Sequence, residues 1–183
     1  MRIYTRAGDD GTTGLYFGGR VRKDDPAIEL NGVVDEAQAV IGLARSSTAK
    51  GGELDTLLVA VERDLWVLMS EVATAPDNRR KLVAGKSLVT EDMVARLEQA
   101  IDGLADRTEW PKEFVVPGED AIAATLDVAR TVVRRAERLT VSNPVAGSLV
   151  ATYLNRLSDL LWAAARFQEG DVHRITKSVE ADR

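Results

Sequence analysis

The chain has no cysteine, a single histidine, and only 5% aromatic residues among its 183. Without cysteine there is no disulfide, no thiolate metal site and no thiol nucleophile. The lone histidine, His173, lies beyond Gly170 near the C-terminus, where a solvated tail position is expected for it. Ser-His and Cys-His catalysis therefore lack their base. A di-iron bundle lacks the Glu-x-x-His pairs it requires. Positive charge is also in deficit: 24 Lys and Arg against 29 Asp and Glu leave a net charge of −5. That balance argues against a nucleic-acid binder held by a basic surface. No uncharged apolar run approaches the ~18 residues of a membrane span. The opening MRIYTRAGDD lacks the apolar stretch of a secretory signal. The expectation is a cytoplasmic protein of one domain over residues 1–183, whose 45% apolar residues suffice for one core.

What the chain does have begins at its opening. RIYTRAGDDGTTGLYFGGRVRKDD, residues 2–25, holds five glycines and cannot build a core. A flexible arm would look like this, and so would a loop that wraps phosphates. Gly8, Gly11 and Gly14 recur at every third residue, with Thr12 and Thr13 between. This is neither a Walker loop nor a dinucleotide fingerprint. Glycines do let backbone N–H groups converge on an anion, and Thr5 and Thr13 offer hydroxyls. Arg6 and Lys23 bracket the stretch with positive charge. Asp9 and Asp10 would repel a bare polyphosphate, an objection that a bound magnesium ion removes.

From Pro26 onward the apolar spacing predicts five helices. AIELNGVVDEAQAVIGLARS places Leu30, Val34, Ala37, Ile41 and Ala44 on one face. GGELDTLLVAVERDLWVLMSEVATAP does the same with Leu58, Val61, Leu65, Leu68 and Val72. A third helix starts at Thr90, a capping residue followed by Glu91 and Asp92, which suit the helix dipole. Helix four spans residues 119–141, and helix five residues 145–169 up to Gly170. Between helices three and four, Phe114, Val115 and Val116 read as extended because Pro117 disfavours the helical region before it. No alternating segment is long enough for a sheet. The expected fold is all-α, a five-helix bundle over 26–170, with an extended opening loop over 1–25 and a tail over 171–183.

Several polar residues stand out against this frame. In helix four Asp127, Arg130, Arg134 and Glu137 fall at i, i+3, i+7 and i+10 on one face, flanked by Arg135 and Arg138. The ordinary reading is a solvated charged face. Asn155 and Asp159, beside Arg156, interrupt a leucine-rich stretch of helix five, and Asp35 sits between apolar positions of helix one. Polar groups near a core are costly unless paired. An Asp35–Arg130 ion pair is one way to satisfy two of them.

Taken together and in this order, YTRAGDDGTTGL, GGRVRKDD, VDEAQAVIGLAR, FVVPGED, ARTVVRRAER and YLNRLSDLLW resemble the PduO-type ATP:cob(I)alamin adenosyltransferases. Residues 48–112 match only loosely, through DLWVLMSEVAT. The resemblance implies a homotrimer with ATP between subunits, its triphosphate wrapped by the opening loop. It implies transfer of the 5′-deoxyadenosyl group of ATP, accompanied by magnesium, to the cobalt of a reduced cobalamin. The products are adenosylcobalamin and triphosphate. A reductase and an adenosylcobalamin-dependent mutase are implied as partners. The nucleophile is then Co(I) of the substrate, which accounts for the missing histidine, cysteine and serine machinery.

By the same resemblance, Arg134, Arg135 and Arg138, with Arg6 and Lys23, hold the triphosphate. Glu137 and Asn155 position the nucleoside or the arginines, and Thr5, Ala7, Gly8, Thr13 and Gly14 supply loop contacts. Asp35 and Arg130 match an ion pair on the corrinoid side. Phe114 matches the phenylalanine that crowds the lower axial ligand off cobalt; read from the residues alone it is a core anchor before a proline turn. Some positions depart from the family pattern. Glu119 and Asp120 replace a glycine and a small hydroxyl residue, Asp127 a histidine, Gln38 an asparagine, and Asn31 an aromatic. The two acids either alter corrinoid affinity or cap helix four. Because the departures gather on the corrinoid side, a second reading is an ATP-binding trimer with weak catalysis that serves as a cobalamin sensor or cofactor chaperone.

Overall fold

Three helix starts are fixed by side chains that satisfy otherwise orphaned backbone donors. In the computed structural model, which describes residues 3–142 and 144–176, Asp25 accepts from Ala27 N at the head of α1 (Pro26–Ser46), with Pro26 in the first turn. Thr90 accepts from Met93 N at the head of α3 (Glu91–Ala105). Asp120 Oδ1 accepts from Ala123 N at 2.8 Å, and α4 (Ala121–Ser142) begins there. Such caps stabilise a helix by about 1 kcal/mol each. Of the two readings of Glu119 and Asp120, capping therefore holds for Asp120. The remaining helices are α2 (Glu53–Val72) and α5 (Val150–Glu169), with a 3₁₀ turn over Pro76–Lys81. α5 starts five residues later than its sequence suggests, because residues 144–149 form a turn with Gly147 at φ 72°.

The five-helix expectation is met. α4 packs on both α1 and α5, α2 on α1, and α3 on α5. Leu30, Val34, Ala37, Ile41 and Ala44 are all buried, as are Leu58, Val61, Leu65 and Leu68, while Val72 is half-buried. Ala129 and Ala136 of α4 and Ala164 and Ala165 of α5 are fully buried. Side chains this small permit close helix approach. Among the described residues no helix is long and apolar enough to cross a membrane.

Two short strand pairs were not expected. The opening stretch is a hairpin: β1 (Thr12–Gly14) runs antiparallel to β2 (Arg20–Arg22), with Thr12 opposite Arg22 and Gly14 opposite Arg20. Gly18 and Gly19, at φ 91° and 94°, make its turn, where a side chain would be strained. Tyr16 N bonds Ala73 O at 2.9 Å and ties the turn to the end of α2. The second pair joins β3 (Val115–Val116) to β4 (Arg174–Ile175), with Val115 opposite Ile175 and Val116 opposite Arg174. Thr176 N also bonds Phe114 O at 3.0 Å, and Arg174 Nε lies 2.9 Å from Glu119 Oε1. The first residues past Gly170 are thus strapped onto the segment ahead of α4. His173 is half-buried, 3.0 Å from Gly170 O.

One buried acid closes an end of the bundle. Glu71 is 1% exposed. Its Oε1 accepts from Arg79 Nη2 at 2.8 Å and Ser148 Oγ at 2.7 Å, and its Oε2 from Val89 N at 2.8 Å. The single carboxylate links α2, the 3₁₀ turn, the lead-in to α3 and the α4–α5 turn. Glu71→Ala should strand all three donors, costing about 3 kcal/mol and lowering the thermal midpoint by roughly 10 °C. A change below about 1 kcal/mol in a denaturant titration would mean that the clasp is replaceable by water.

Candidate functional site

Phe114 is 86% exposed. The core-anchor reading is therefore wrong. Its backbone is held extended by Pro117 and by the β3–β4 pairing, which leave the ring nowhere to bury. An aromatic ring kept in water by the fold is suited to meet a ligand. It stands at a cleft of about 620 Å³ whose lining includes Phe114, Asp127, Arg130, Trp162, Arg166 and Thr176.

The floor of this cleft corrects the solvated-face reading of α4. Asp127 is 5% exposed and bonded on both oxygens, to Arg166 Nη2 at 2.7 Å and Arg130 Nε at 3.1 Å. Arg166, itself buried, lies with its guanidinium carbon 6.0 Å from the Trp162 ring and its Nε 2.8 Å from Glu169 Oε2. That last contact is ionic rather than an aligned hydrogen bond, and neither Glu169 oxygen has an aligned donor. Burial holds the Glu169 carboxyl above its ordinary pKa, with Arg166 opposing. The expected Asp35–Arg130 pair does not form within the chain. Asp127, one turn away on the same helix, takes Arg130, while Asp35 lies exposed on α1. Arg166 and Glu169 were not singled out in the sequence. The available signal was Arg166 itself, a charge in the otherwise apolar run LLWAAAR.

Further along α4 the arrangement differs. Arg134 and Arg138 are exposed and make no ion pair among the described residues. Arg135 is paired with Glu36. Glu137 Oε1 accepts from Asn155 Nδ2 at 2.8 Å, and Asn155 Oδ1 accepts from Arg156 Nη1 at 2.8 Å. Glu137 and Asn155 are thus brought together across α4 and α5, with Arg156 added to the pair. Asp159 stays exposed.

The loop candidates Thr5, Arg6, Ala7, Gly8, Thr13, Gly14 and Lys23 gather in and around the hairpin. Lys23 Nζ lies 3.2 Å from where a Cβ on Gly8 would stand, so that glycine makes room for the ammonium. Arg20 donates to Thr12 Oγ1 and Ala7 O, closing the loop on itself. Asp10 accepts from Thr12 N at 2.9 Å and Thr12 Oγ1 at 2.7 Å, bonds that hold its carboxyl below the usual pKa. Thr5 Oγ1 accepts from Ala7 N at 3.4 Å. Among the described residues no hydrogen bond or ion pair joins this hairpin to Arg134, Arg135 or Arg138. The described residues also hold no group of three His, Cys, Asp or Glu spaced for a metal ion.

The site thus joins an exposed phenylalanine at a charged cleft to arginines that make no ion pair among the described residues. Known proteins agree with that description. Residues 3–168 match the family model for cobalamin adenosyltransferase. A corrinoid adenosyltransferase of Citrobacter freundii is 40% identical over 171 residues, 92% of this chain and 95% of that one. One from Bacillus subtilis is 35% identical over 172 residues, 91% of this chain and 86% of that one. Among solved structures, a phenylalanine-to-histidine variant of the PduO-type ATP:corrinoid adenosyltransferase from Lactobacillus reuteri, complexed with cobalamin and ATP, matches with a TM-score of 0.80. It is 31% identical, and the match covers 91% of this chain and 90% of that one. With sequence and helical frame matched over nearly its whole length, the chain belongs to the cobalamin adenosyltransferase family.

Proposed function

We propose that this protein transfers the 5′-deoxyadenosyl group of ATP to the cobalt of cob(I)alamin. The Co–C5′ bond forms with the electron pair of Co(I). The C5′–O bond breaks, and its pair departs on triphosphate. The observation that carries the reading is the cleft itself, where Phe114 is held exposed beside Arg130 and Asp127. Such a reaction asks the protein for orientation and for fixed charge around the leaving group.

The cations supply the second need. Arg134 and Arg138, exposed and unpaired among the described residues, are assigned to the triphosphate together with Arg135, Arg6 and Lys23. Magnesium is assigned to the triphosphate oxygens, where it offsets the acids of the loop. Thr5, Ala7, Gly8, Thr13 and Gly14 contribute loop donors, and the bonded pair Glu137–Asn155 positions the nucleoside. On the other side, Phe114 presses on the lower face of the corrinoid, and Arg130 contacts its rim. Asp35, outward-facing on α1, acts across the boundary between copies of a homotrimer in which each ATP lies between neighbours. A reductase that delivers Co(I) and a mutase that takes adenosylcobalamin are its partners in the cytoplasm. Two of the five departures behind the sensor or chaperone reading find structural roles here. Asp120 caps α4 and Glu119 pairs with Arg174, so both acids have structural employment.

The founding test is anaerobic conversion of chemically reduced cobalamin with ATP and magnesium, followed by the change in corrin absorbance. Bound ATP without conversion would reject the activity. Arg134→Ala is expected to weaken ATP binding and to lower turnover by about a hundredfold, the loss typical of one fixed charge donor. Unchanged ATP affinity in calorimetry would remove Arg134 from the triphosphate. Phe114→Ala should leave ATP affinity intact and slow the reaction from cob(II)alamin about tenfold more than the reaction from prepared cob(I)alamin. Equal slowing in both assays would dismiss its role in releasing the axial ligand.

A further inference from the structure

The hairpin that carries the loop candidates is fastened at its tip, to a corner of the bundle that has no part in the assignments above. Tyr16 N donates to Ala73 O at 2.9 Å, where α2 ends. Asn78 Nδ2, in the 3₁₀ turn, donates to Phe17 O at 3.4 Å. The Phe17 ring is half-buried, with its centroid 4.5 Å from that of Tyr16 and 5.9 Å from Lys81 Nζ of the same 3₁₀ turn. The receiving corner is itself fixed from the interior. Asn78 N bonds Ala75 O at 2.9 Å, and the next residue, Arg79, donates to the buried Glu71 at 2.8 Å. At its other end β2 runs directly into Asp25, the cap of α1. The arm ahead of β1 is drawn onto this frame by Lys23 N, which donates to Gly11 O at 2.9 Å. The tip contacts are made within the chain, and none uses a residue assigned to ATP.

We infer that Phe17 and Asn78 are positioning residues for the nucleotide: by fastening the hairpin tip to the 3₁₀ turn they hold the β1–β2 backbone in the conformation that receives the triphosphate. The inference rests on the reading of the opening loop as the triphosphate wrap. Ordering a glycine-rich loop costs conformational entropy, and glycine loses more of it than any other residue. A loop already ordered by the fold leaves that cost out of ligand binding, so its affinity rises without any new contact. Phe17 brings apolar area and a ring for the Lys81 ammonium. Asn78 brings a directed donor to a turn whose Gly18 and Gly19 have no side chains to hold it. Affinity for ATP is thereby set in part on a corner of the bundle that ATP does not touch.

The test compares full-length wild type with Phe17→Ala, Asn78→Ala and Lys23→Ala. ATP binding is measured by calorimetry with magnesium, and kcat and KM for ATP with chemically reduced cobalamin. Trypsin digestion without nucleotide reports the hairpin itself, through cleavage after the exposed Arg20 and Arg22. Phe17→Ala and Asn78→Ala are each expected to raise Kd and KM for ATP about tenfold, with kcat at saturating ATP held within about twofold. Both should be cut faster than wild type at Arg20 and Arg22, while the thermal midpoint moves by no more than about 2 °C. Loss of kcat with KM unchanged would overturn the inference, and so would cleavage and ATP affinity like those of wild type. A large fall in the midpoint, with ATP and cobalamin affinity lost in parallel, would overturn it by exposing a general structural effect. Should Phe17→Ala fail to fold, Asn78→Ala decides alone, since it removes one surface donor. Lys23→Ala separates this inference from the reading beneath it. Unchanged ATP affinity in Lys23→Ala would reject the triphosphate wrap and the inference with it. Weakened ATP binding in Lys23→Ala beside unaffected Phe17→Ala and Asn78→Ala would reject the inference alone.

Discussion

Everything in this molecule turns on the double burial of α4. The helix packs against both α1 and α5, so it needs an apolar stripe wide enough for two neighbours. It also carries Asp127, Arg130, Arg134, Arg135, Glu137 and Arg138. Alanines and valines at Ala123, Ala129, Val132, Val133 and Ala136 satisfy the first demand. The charges are then sorted by what the packing leaves over. Where a charge faces inward, as at Asp127, it must be fully paired, because an unmet buried carboxylate would cost several kcal/mol. Where a charge faces outward, as at Arg134 and Arg138, it remains free to meet a ligand.

The two ends of the site follow opposite rules in consequence. On the outer face of α4, Arg134 and Arg138 stay on the surface with no ion pair among the described residues, as the proposed triphosphate contact requires. Beneath the Phe114 cleft the protein builds a network of alternating sign, from Glu169 through Arg166 and Asp127 to Arg130. A polyphosphate is itself the missing counter-charge, so the first strategy suits it.

Two small strand pairings hold what helices cannot. β1 and β2 shape the glycine-rich opening, and β3 with β4 pins the Phe114 segment against the residues past Gly170. Neither pairing is long enough to matter for stability. Each sets the backbone of a loop that the proposed function assigns to a ligand. The Phe114 carbonyl accepts from Thr176 N, and its ring stays exposed.

Much of this was legible in the chain itself. Helical spacing located the core faces of α1 and α2, and Thr90 marked the start of α3, because periodicity and capping are local properties. Ordered motifs carried the family, since loops that meet the same ligand keep the same residues. What sequence could not decide was partnership. Asp127 and Arg166 are 39 residues apart, and nothing local distinguishes a buried i,i+3 pair from a solvated one. The strand formed by Arg174 and Ile175 was equally hidden, for two residues have no periodicity, and their pairing exists only once the bundle has brought the chain end to Val115. Local chemistry determined the elements, while the pairing of Arg130 with Asp127 within the chain fell to packing, which alone sets what lies within reach.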